Sequence, residues 1–364
     1  MRIGIDCSEL GGKPTGVGRF MRAILHGLAE MPVPHEFFLY HMGDAVMPAG
    51  QRFVPRAIGG SGRRLFREQF RLPSLLRQDA IEFFFTPGYW LPLFAKIPSV
   101  FSLHDIAFIS HPEWFTRKER MKRTALSRLS ARRARAVATI SEFSRSEILR
   151  HYEIPADRVY VLTVGLDPEL LENSSEPAIP RHGQGPLILS VGSLFQRRRT
   201  DTLLRACVQI LDRYPDATLW IAGENRTTPH IDYGRMADEL GISNHIIFTG
   251  YTDEWTIREL YRKATVMVYL SEYEGFGLPP LEASAYGVPV VTSRGSSLEE
   301  IFSNSARLVD PSSSEDVARA IADILSEERT RLSMRESGFK LAARHTPVAA
   351  AKAFLTFIEE TASV

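Results

Sequence analysis

The chain repeats one pattern from end to end: a short apolar run, a polar loop, and then a stretch with apolar residues at helical spacing. The first such pair is a strand over residues 2–6 and a helix over 17–28 with Phe20, Ile24 and Leu28 on one face. The pattern predicts further strands at 36–40, 81–85, 99–103, 136–140 and 159–162, and helices at 65–76, 117–135 and 141–152. Continuously apolar strands that alternate with helices are typical of parallel sheets covered on both faces.

A second series of the same kind begins after a break. Residues 167–186 are rich in Pro, Gly and Ser and show no periodicity, as expected of a linker. Strands are then predicted at 187–191, 218–222, 246–248, 266–270, 288–292 and 306–309, with a helix at 200–214 and a helical tail at 327–363 interrupted by Pro347. The sequence therefore predicts an α/β protein of two doubly wound domains, over 1–170 and 186–343, with a linker at 171–185.

Composition agrees with a globular protein of more than one domain. The 364 residues are 44% hydrophobic and 24% charged, and domains usually run to about 100–200 residues. No uncharged apolar run reaches the roughly 18–20 residues that a membrane span needs. Because residues 1–7 already have the pattern of a strand, we expect no secretory leader. With two cysteines in all, Cys7 and Cys207, we expect a cytoplasmic protein with reduced thiols.

Charge is distributed unevenly. Residues 1–170 carry 24 Lys and Arg against 17 Asp and Glu, whereas the remaining residues carry 20 against 26. The segment 117–135, from Arg117 to Arg135, holds nine basic residues and one acid, Glu119. A second basic helix is predicted around Arg63, Arg64, Arg67, Arg71 and Arg77.

Basic helices of this kind indicate an anionic partner. A phosphorylated acceptor and an anionic membrane surface both fit the segment 117–135, and a solvated helix face is the ordinary alternative. We expect no nucleic-acid partner, because no aromatic residues interleave the charges and the isoelectric point is only 7.9.

The loop after the predicted strand at 266–270 is the part of the chain best suited to bind a ligand. It reads SEYEGFGLPPLEA over residues 271–283. Its glycines let the backbone approach a ligand closely, and its prolines fit the first turn of a helix whose N-terminal amides favour an anion. Glu274 and Glu282 lie eight residues apart in this frame. Taken alone, Glu274 could be a solvated loop carboxylate and Glu282 a glutamate favoured in the first turn of a helix. Together with the glycines and prolines around them, the two carboxylates indicate a binding site.

Two further pairs of residues, in the N-terminal half, are candidates for contact with a ligand. His104 and Asp105 end a predicted strand, where open parallel sheets bind ligands, although a structural hydrogen bond and a turn cap are the alternatives. Gly16 and Gly18 flank a turn into the first helix. As a dinucleotide fingerprint these glycines fail, because Met21 stands where the third glycine should be. A nicotinamide enzyme is therefore disfavoured, and an ordinary tight turn is the alternative.

The motifs resemble those of retaining glycosyltransferases with the two-domain GT-B fold, in particular glycosyltransferase family 4. The Glu-x7-Glu motif of that family is similar to EGFGLPPLEA at 274–283. The resemblance extends to TGVGR at 15–19, LHD at 103–105, VGSL at 191–194, FTGY at 248–251 and AYGVPVV at 285–291. It implies two Rossmann-like domains that face a central cleft, and a C-terminal helix over 344–364 that packs back on the N-terminal domain.

The resemblance also implies the ligands. The C-terminal domain would hold a nucleotide-sugar donor and the N-terminal domain an acceptor. Glu274 would contact hydroxyls of the donor sugar, Glu282 the ribose, and backbone groups at Gly223 and Tyr251 the base.

The remaining implied contacts concern the diphosphate and the reaction centre. His104, with Asp105 beside it, would lie near the donor sugar where the reaction takes place. The implied diphosphate contacts are the amides of Gly275, Phe276, Gly277 and Leu278 and a flexible loop that contains Gly16 and Gly18.

Arginines are predicted to grip the diphosphate. Where relatives more often have Arg-Lys, this chain has Gln196 followed by three arginines. We expect Arg198 to take the role of the lysine, with Arg197 beside it, because a guanidinium binds phosphate through two hydrogen bonds. A solvated basic turn is the alternative. The chain has no Asp-x-Asp and no His/Cys cluster, so arginines and a helix N-terminus must stabilise the leaving diphosphate, and we predict transfer without a metal or cofactor.

The sequence thus predicts a retaining, metal-independent hexosyltransferase in cell-surface polysaccharide or lipopolysaccharide synthesis. It would move a hexose, with mannose as the first candidate, from a nucleotide-diphosphate sugar to a glycan or lipid-linked acceptor. By the resemblance, the acceptor attacks from the front face without a protein nucleophile. The alternatives are an epimerase or phosphorylase of the same fold and an inactive sugar-nucleotide-binding subunit. We expect a cytoplasmic location, with peripheral attachment at the inner face of the membrane as a variant of it.

Overall fold

A computed structural model describes residues 1–12, 15–43, 45, 48, 50–60, 64–168 and 185–363. The chain divides into two compact units. The N-terminal unit is Met1–Pro168 together with His345–Val364, and the C-terminal unit is Glu169–Arg344. The predicted linker at 171–185 lies outside the described residues except for Gly185.

The N-terminal unit contains a seven-stranded sheet in which every neighbouring pair is parallel. The strand order is β3-β2-β1-β4-β5-β6-β7, so the direction of winding reverses between β1 and β4. The strands are β1 Arg2–Asp6, β2 Glu36–His41, β3 Phe53–Ala57, β4 Phe83–Thr86, β5 Ser99–Ser102, β6 Val137–Thr139 and β7 Val159–Val161. The helical segments that cover it begin with α1 Gly16–Glu30, α2 Arg64–Phe66, a π-helical turn at Arg67–Arg71, α3 Leu72–Gln78, α4 Ala107–Ser110, α5 Arg117–Arg133 and α6 Glu142–His151.

The strand β3 was not predicted from the sequence. It lies at the edge of the sheet, where only Phe53 is buried and the residues after it alternate between half-buried and exposed. Pro55 lies in its middle, and proline is tolerated in a strand mainly at such an edge. A short, half-exposed edge strand with a proline therefore lacks the continuous apolar run that marks the other strands.

Phenylalanine fills much of the core of this unit. Phe83, Phe84 and Phe85 are consecutive in β4, and each is at most 1% exposed. Because neighbouring side chains of a strand point to opposite faces, both faces of the sheet must be covered at this strand.

The C-terminal unit contains a six-stranded parallel sheet with the order β10-β9-β8-β11-β12-β13. Here the winding reverses between β8 and β11. The strands are β8 Leu187–Val191, β9 Thr218–Ala222, β10 Ile246–Gly250, β11 Val266–Tyr269, β12 Val290–Ser293 and β13 Ala306–Val309. The helices are α7 Thr200–Arg213, α8 Tyr233–Glu239, α9 Glu254–Lys263, α10 Leu278–Ala285, α11 Ser296–Phe302, α12 Ser314–Ser326 and α13 Glu328–Ala342.

The last helix, α14 at Pro347–Ala362, belongs to the N-terminal unit although it follows the C-terminal unit in the chain. Pro347, predicted as an interruption of a helical tail, instead begins this helix after the N-cap Thr346. The helix packs along α1 so closely that a Cβ atom on Gly27 would lie 2.1 Å from the carbonyl oxygen of Pro347. Phe354 is fully buried with its ring edge-on to that of Phe85, 5.0 Å away.

Over the described ranges, none of the helices is both long and apolar enough to cross a bilayer.

The close approach at Gly27 can be tested by substitution. In Gly27→Ala the added methyl group meets a backbone carbonyl that cannot rotate away, so we expect the free energy of unfolding to fall by about 1–3 kcal/mol. Gly59→Ala is the control, because no atom lies within 4 Å of the Cβ position there. Urea unfolding of both variants measures the difference, and equal stability of the two would contradict this packing of α14.

Candidate active site

The loops after β8 and β11 lie side by side in the C-terminal unit. The two strands pair in parallel, with Ile188 opposite Val266, although they are far apart in sequence. The amide of Glu272 donates to the carbonyl oxygen of Arg197 at 2.9 Å, which joins the two loops directly. This is the switch point of the sheet, where open α/β folds bind their ligands.

A buried ion pair connects the loops. Nε of Arg198 lies 3.2 Å from Oε1 of Glu274, and the two side chains are 16% and 12% exposed. Nη1 of Arg198 donates to the carbonyl oxygen of Ser193 at 3.0 Å, and the guanidinium lies over the ring of Tyr269, 4.8 Å from its centre. Arg198 thus uses Nε and Nη1 within the protein, and its Nη2 carries two further N–H groups.

Glu274 is held from several sides. Its Oε1 accepts hydrogen bonds from the Tyr269 hydroxyl at 3.1 Å and from the Ser271 hydroxyl at 3.0 Å, in addition to Arg198. Its carbonyl oxygen accepts from the Ser297 hydroxyl at 2.8 Å. All three side-chain donors bond to Oε1, and no described residue donates to Oε2. The carboxylate is therefore fixed in orientation with one oxygen left to accept from a ligand.

The pair also sets the ionisation of the site. Burial alone would raise the pKa of Glu274, but the charges of Arg198 and Arg197 and the hydrogen bonds from Ser271 and Tyr269 hold it below its usual value. Burial alone would lower the pKa of Arg198, but its interactions with Tyr269 and Glu274 raise that pKa above its usual value. Both groups are charged at neutral pH, and burial raises the pKa of Tyr269, so that its hydroxyl stays protonated as a donor.

Two glycines make room for the arginine. Gly192 has φ +121°, and a Cβ atom there would lie 2.1 Å from Nη1 of Arg198. A Cβ atom on Gly223 would lie 2.1 Å from the carbonyl oxygen of Gly192. Gly192 was not among the predicted site residues, although it stands in the VGSL segment directly after an apolar strand. A glycine directly after an apolar strand is the sequence signal by which Gly192 could have been predicted.

Arg197 lies in the short 3-10 turn Gln196–Arg198, next to Arg198 in the chain. Its guanidinium lies over the ring of Phe195, 4.5 Å from the ring centre. Arg199 is tied to Glu272 of the facing loop at 3.2 Å. Arg198 and Arg199 therefore face the two carboxylates of the second loop, and binding of a phosphate by Arg197 and Arg198 stays a prediction.

The predicted loop amides lead into α10. Gly275 and Phe276 precede Gly277, the N-cap, which has φ +108°; a Cβ atom there would lie 2.6 Å from Cδ2 of Leu298. The helix begins at Leu278, and Pro279 and Pro280 carry no N–H. Leu278 is therefore the one residue among the first three of the helix that has a backbone donor, and contacts of the amides at Gly275–Leu278 with a diphosphate stay a prediction.

Glu282 and Tyr251 lie in different surroundings. Glu282 is 1% exposed within α10 and accepts a hydrogen bond from the Tyr261 hydroxyl at 2.8 Å. The contact of Glu282 with a ribose stays a prediction. The burial of the side chain does not favour it. Tyr251 follows Gly250 at the end of β10 and is 47% exposed.

His104 lies at the carboxyl edge of the N-terminal sheet, just beyond β5. It is 7% exposed, its Nε2 lies 3.0 Å from the Ser102 hydroxyl, and its ring is edge-on to Phe20 at 4.8 Å. Burial lowers the pKa of His104 to about 4. The imidazole is therefore neutral at physiological pH.

The carboxylate of Asp105 has structural partners. Oδ1 accepts from the amide of Ala107 at 3.0 Å, in the short helix α4, and the Tyr89 hydroxyl lies 3.5 Å from Oδ2. This is the turn cap that the sequence left open as the alternative. A catalytic role for Asp105 stays a prediction.

The expectation of a flexible loop around Gly16 and Gly18 is wrong. Both residues lie in the first turn of α1, where the Thr15 hydroxyl accepts from the amide of Gly18 at 3.0 Å. A Cβ atom on Gly18 would lie 2.5 Å from the carbonyl oxygen of Glu9. Gly18 is thus needed for close packing of the helix start, and that requirement gives the same sequence signature as a ligand loop.

The basic residues of 117–135 divide into two groups. Arg133 donates to the carbonyl oxygens of Leu93 and Ala95, and Arg135 to that of Thr361 at 3.1 Å, so both serve the fold. Most of the others are exposed on α5: Arg117, Lys118, Arg120, Lys122, Arg128 and Arg132. Arg63 of the second basic segment lies outside the described residues. The helix ends at Arg133, two residues earlier than predicted.

Within the part of the chain that the structure describes, no three His, Cys, Asp or Glu side chains lie together as ligands of a metal ion would.

Two family models and several known proteins match this chain. The family model "Glycosyltransferase Family 4" matches residues 14–170, and the family model "Glycosyl transferases group 1" matches residues 173–341. The O-antigen chain mannosyltransferase B of Escherichia coli is 28% identical over 87% of this chain and 88% of its own length. A D-inositol 3-phosphate glycosyltransferase of Corynebacterium glutamicum is 27% identical over 68% of this chain and 63% of its own length.

Solved structures share the fold over nearly the whole chain. WaaG, a glycosyltransferase involved in lipopolysaccharide biosynthesis, superposes with a TM-score of 0.76 at 16% identity, covering 98% of this chain and 99% of WaaG. Anabaena Alr3699/HepE, solved in complex with UDP and glucose, gives a TM-score of 0.74 at 18% identity and covers 99% of this chain and 100% of its own. The two family models together span almost all of the sequence, and the predicted α/β architecture is confirmed. The chain belongs to glycosyltransferase family 4 and has the GT-B fold.

Proposed function

We propose that the protein is a retaining hexosyltransferase that moves a hexose from a nucleotide-diphosphate sugar to a glycan or lipid-linked acceptor. The observation that carries the proposal is the buried Arg198–Glu274 pair at the switch point of the C-terminal sheet. It combines a cation suited to phosphate with a fixed carboxylate suited to sugar hydroxyls. Those are the two parts of a nucleotide sugar that lie next to the bond that breaks.

In this proposal the site acts by orientation and charge. Glu274 accepts from a donor hydroxyl through Oε2, and Arg198 and Arg197 take up the charge of the departing diphosphate. The bond from the sugar C1 to the phosphate oxygen breaks while the acceptor oxygen bonds to C1 on the same face. The acceptor proton passes to the leaving phosphate oxygen, so no protein nucleophile is required.

Metal independence is part of the proposal. A guanidinium that already lies in a buried, hydrogen-bonded position needs little reorganisation when charge develops on the diphosphate. Its raised pKa keeps that charge at any physiological pH. The arginines would then do what a divalent cation does in other transferases.

The donor and the pathway are proposed from the relatives. Two different E. coli relatives are named as mannosyltransferases, one of them an O-antigen chain enzyme. We therefore take nucleotide-diphosphate mannose as the first donor to test, and O-antigen or lipopolysaccharide synthesis as the setting. A location at the cytoplasmic face of the membrane follows from that setting.

The first test removes the charge of Glu274 without changing its shape. In Glu274→Gln we expect the turnover number for sugar transfer to fall roughly 100-fold, because the strong acceptor of the donor hydroxyl is lost. Radiolabelled sugar transfer measures it. Glu239→Gln, a surface residue with 61% exposure, is the matched control.

Two outcomes would defeat the proposal. Undiminished transfer by Glu274→Gln would remove Glu274 from the site. Conversion of the donor in the absence of any acceptor would favour an epimerase instead.

The second test concerns the diphosphate. In Arg198→Gln we expect the Kd for a nucleoside diphosphate to rise roughly 10- to 100-fold, measured by calorimetry in buffer that contains EDTA. Arg198→Lys should recover part of the affinity, because it restores the charge but not the forked geometry. Arg235→Gln is the exposed control. If EDTA alone abolished binding by the native protein, the metal-independent scheme would be wrong.

The third test uses the neutral His104, which has an ordinary pKa of 6.5 and a pKa of about 4 in the folded protein. Between these values the unfolded chain binds a proton that the folded chain does not, so stability falls as the pH is lowered. At about pH 5 the loss from this group is about 2 kcal/mol relative to neutral pH. In urea unfolding of the full chain, lowering the pH from neutral to about 5 should reduce the free energy of unfolding by about 2 kcal/mol less in His104→Gln than in the native protein. An identical pH dependence in both proteins would contradict a buried neutral imidazole.

A further inference from the structure

A cavity lies at the switch point of the N-terminal sheet, and the Arg198–Glu274 site does not account for it. It has a volume of about 310 Å³ and lies where β1 and β4 end. Asp6 is the last residue of β1 and Thr86 the last of β4, and the Thr86 hydroxyl donates to Oδ2 of Asp6 at 3.0 Å. The crevice therefore occupies the same topological position as the Arg198–Glu274 site does in the other unit.

The inner wall of this cavity is lined with carboxylates. Asp6 is 8% exposed and Glu68 is 6% exposed. Glu68 accepts from Nε of Arg64 at 2.6 Å and from the indole Nε1 of Trp90 at 3.1 Å. Burial, with the nearby Glu68 charge as a further cause, raises the pKa of Asp6. Oriented carboxylates in a small cavity are acceptors for the hydroxyl groups of a sugar.

Three cations line the same cavity, of which Arg64 is paired with Glu9 and Glu68. Lys122 lies over the ring of Trp90 at 4.8 Å, and Arg123 lies over that of Tyr89 at 5.3 Å. Over the ranges that the structure describes, neither Lys122 nor Arg123 forms an ion pair with a carboxylate. Aromatic faces hold these charges in place without neutralising them. The cavity therefore offers an anion, such as a phosphate, two positioned cations.

An exposed apolar surface adjoins the cavity. Phe66, Phe70 and Phe94, the phenylalanine patch, are 53%, 51% and 58% exposed. Their rings stack in series, with 4.9 Å between the centres of each neighbouring pair. In the chain, the patch residues lie next to Leu65 and near Pro92, which line the cavity.

The patch is held rigidly although water surrounds it. Gln69 is 7% exposed, and its amide group donates to the Leu91 carbonyl oxygen at 2.9 Å and accepts from the Leu93 amide at 2.7 Å. The Leu91 amide donates to the Ser130 hydroxyl at 2.8 Å, and Arg133 bonds to the carbonyl oxygens on both sides of Phe94.

The helix that carries the patch contributes to the same arrangement. The π-helical turn Arg67–Arg71 directs Glu68 and Gln69 inward while Phe70 remains outside. Such turns are frequent at functional sites. Exposed aromatic rings fixed by this many hydrogen bonds indicate an apolar partner.

We propose that this cavity and the phenylalanine patch bind a lipid-phosphate-linked saccharide, which is the acceptor of the transfer. The sugar hydroxyls bind to Asp6 and Glu68, the phosphate to Lys122 and Arg123, and the apolar chain lies on the phenylalanine patch. A neutral glycan would leave the two cations unused, and a free sugar phosphate would leave the patch uncovered. The inference rests on the proposed function and names the acceptor class for it.

Four probes separate these contributions: octyl mannoside, mannose 1-phosphate, farnesyl phosphate, and farnesyl mannosyl phosphate. Calorimetric titration of the full chain measures each Kd. We expect farnesyl mannosyl phosphate to bind at least about 10-fold more tightly than any of the other three, because it alone reaches all three surfaces. Equal affinity of mannose 1-phosphate would make a soluble sugar phosphate the ligand and overturn the lipid assignment.

Variants then assign each contact. Lys122→Gln with Arg123→Gln should weaken the phosphate-containing probes at least about 10-fold and leave octyl mannoside unchanged. Asp6→Asn should weaken the mannose-containing probes and leave farnesyl phosphate unchanged. Replacing Phe66, Phe70 and Phe94 together by Ser should remove most of the advantage of the farnesyl chain.

The matched controls lie on α5. Arg120→Gln with Arg128→Gln removes two exposed charges that do not line the cavity. Met121→Ser with Leu129→Ser removes exposed apolar side chains, 59% and 50% exposed, outside the patch. If either control pair weakened the probes as much as the variants do, binding would be non-specific and the proposed site would be wrong.

Binding of a nucleoside diphosphate is measured on the same samples. The proposed donor site lies in the other unit, so persistence of that binding shows that the C-terminal unit is folded, and retained binding of the probe that each variant is expected to leave unchanged shows that the N-terminal unit is folded. Its absence from the native protein would refute the donor site, whereas loss of the probe pattern alone would refute the acceptor site.

Discussion

The buried contact between Arg198 and Glu274 is the constraint around which the C-terminal unit is arranged. Placing two charges away from water is costly, and the cost is offset only when the remaining hydrogen-bonding groups also find partners. Tyr269, Ser271 and the Ser193 carbonyl supply them. Removing one member of such a pair commonly costs about 3–5 kcal/mol, because the other charge stays buried. The loops after β8 and β11 are thus fixed relative to each other before any ligand arrives.

The two sheets use equivalent positions in different ways. In the C-terminal unit the switch point carries a neutralised ion pair, and the backbone comes close because of Gly192 and Gly223. In the N-terminal unit Asp6 and Thr86 bridge the corresponding strands, and the nearby cations rest on aromatic rings. One topology therefore places different chemistry at the two switch points.

Much of this fold could be predicted from the sequence, because buried parallel strands are continuous apolar runs. The edge strand β3 was not predicted, because about half of it is exposed and Pro55 interrupts its apolar pattern. The loop around Glu274 was predicted from its glycines and prolines. Its contact with Arg198 was expected only through a family resemblance, because the two residues are 76 positions apart and pairing of β8 with β11 cannot be derived from periodicity.

The surroundings of single carboxylates were harder to predict. Glu282 and Glu274 look alike in the sequence, yet one is buried against Tyr261 and the other is held by an arginine. Asp105 accepts from the first amide of a short helix whose existence the apolar pattern did not indicate. For Glu274 and Glu282 the deciding factor is a tertiary neighbour, which local spacing does not contain.

Helix α14 has a consequence for how the protein is made. The N-terminal unit lacks one of its core helices until residues 347–362 leave the ribosome, after the whole C-terminal unit. Until then the surface that receives Phe354 beside Phe85 is exposed to water. Domains generally fold in the order of synthesis. Here the half that is translated first is completed last, and chaperones have that interval in which to act on it.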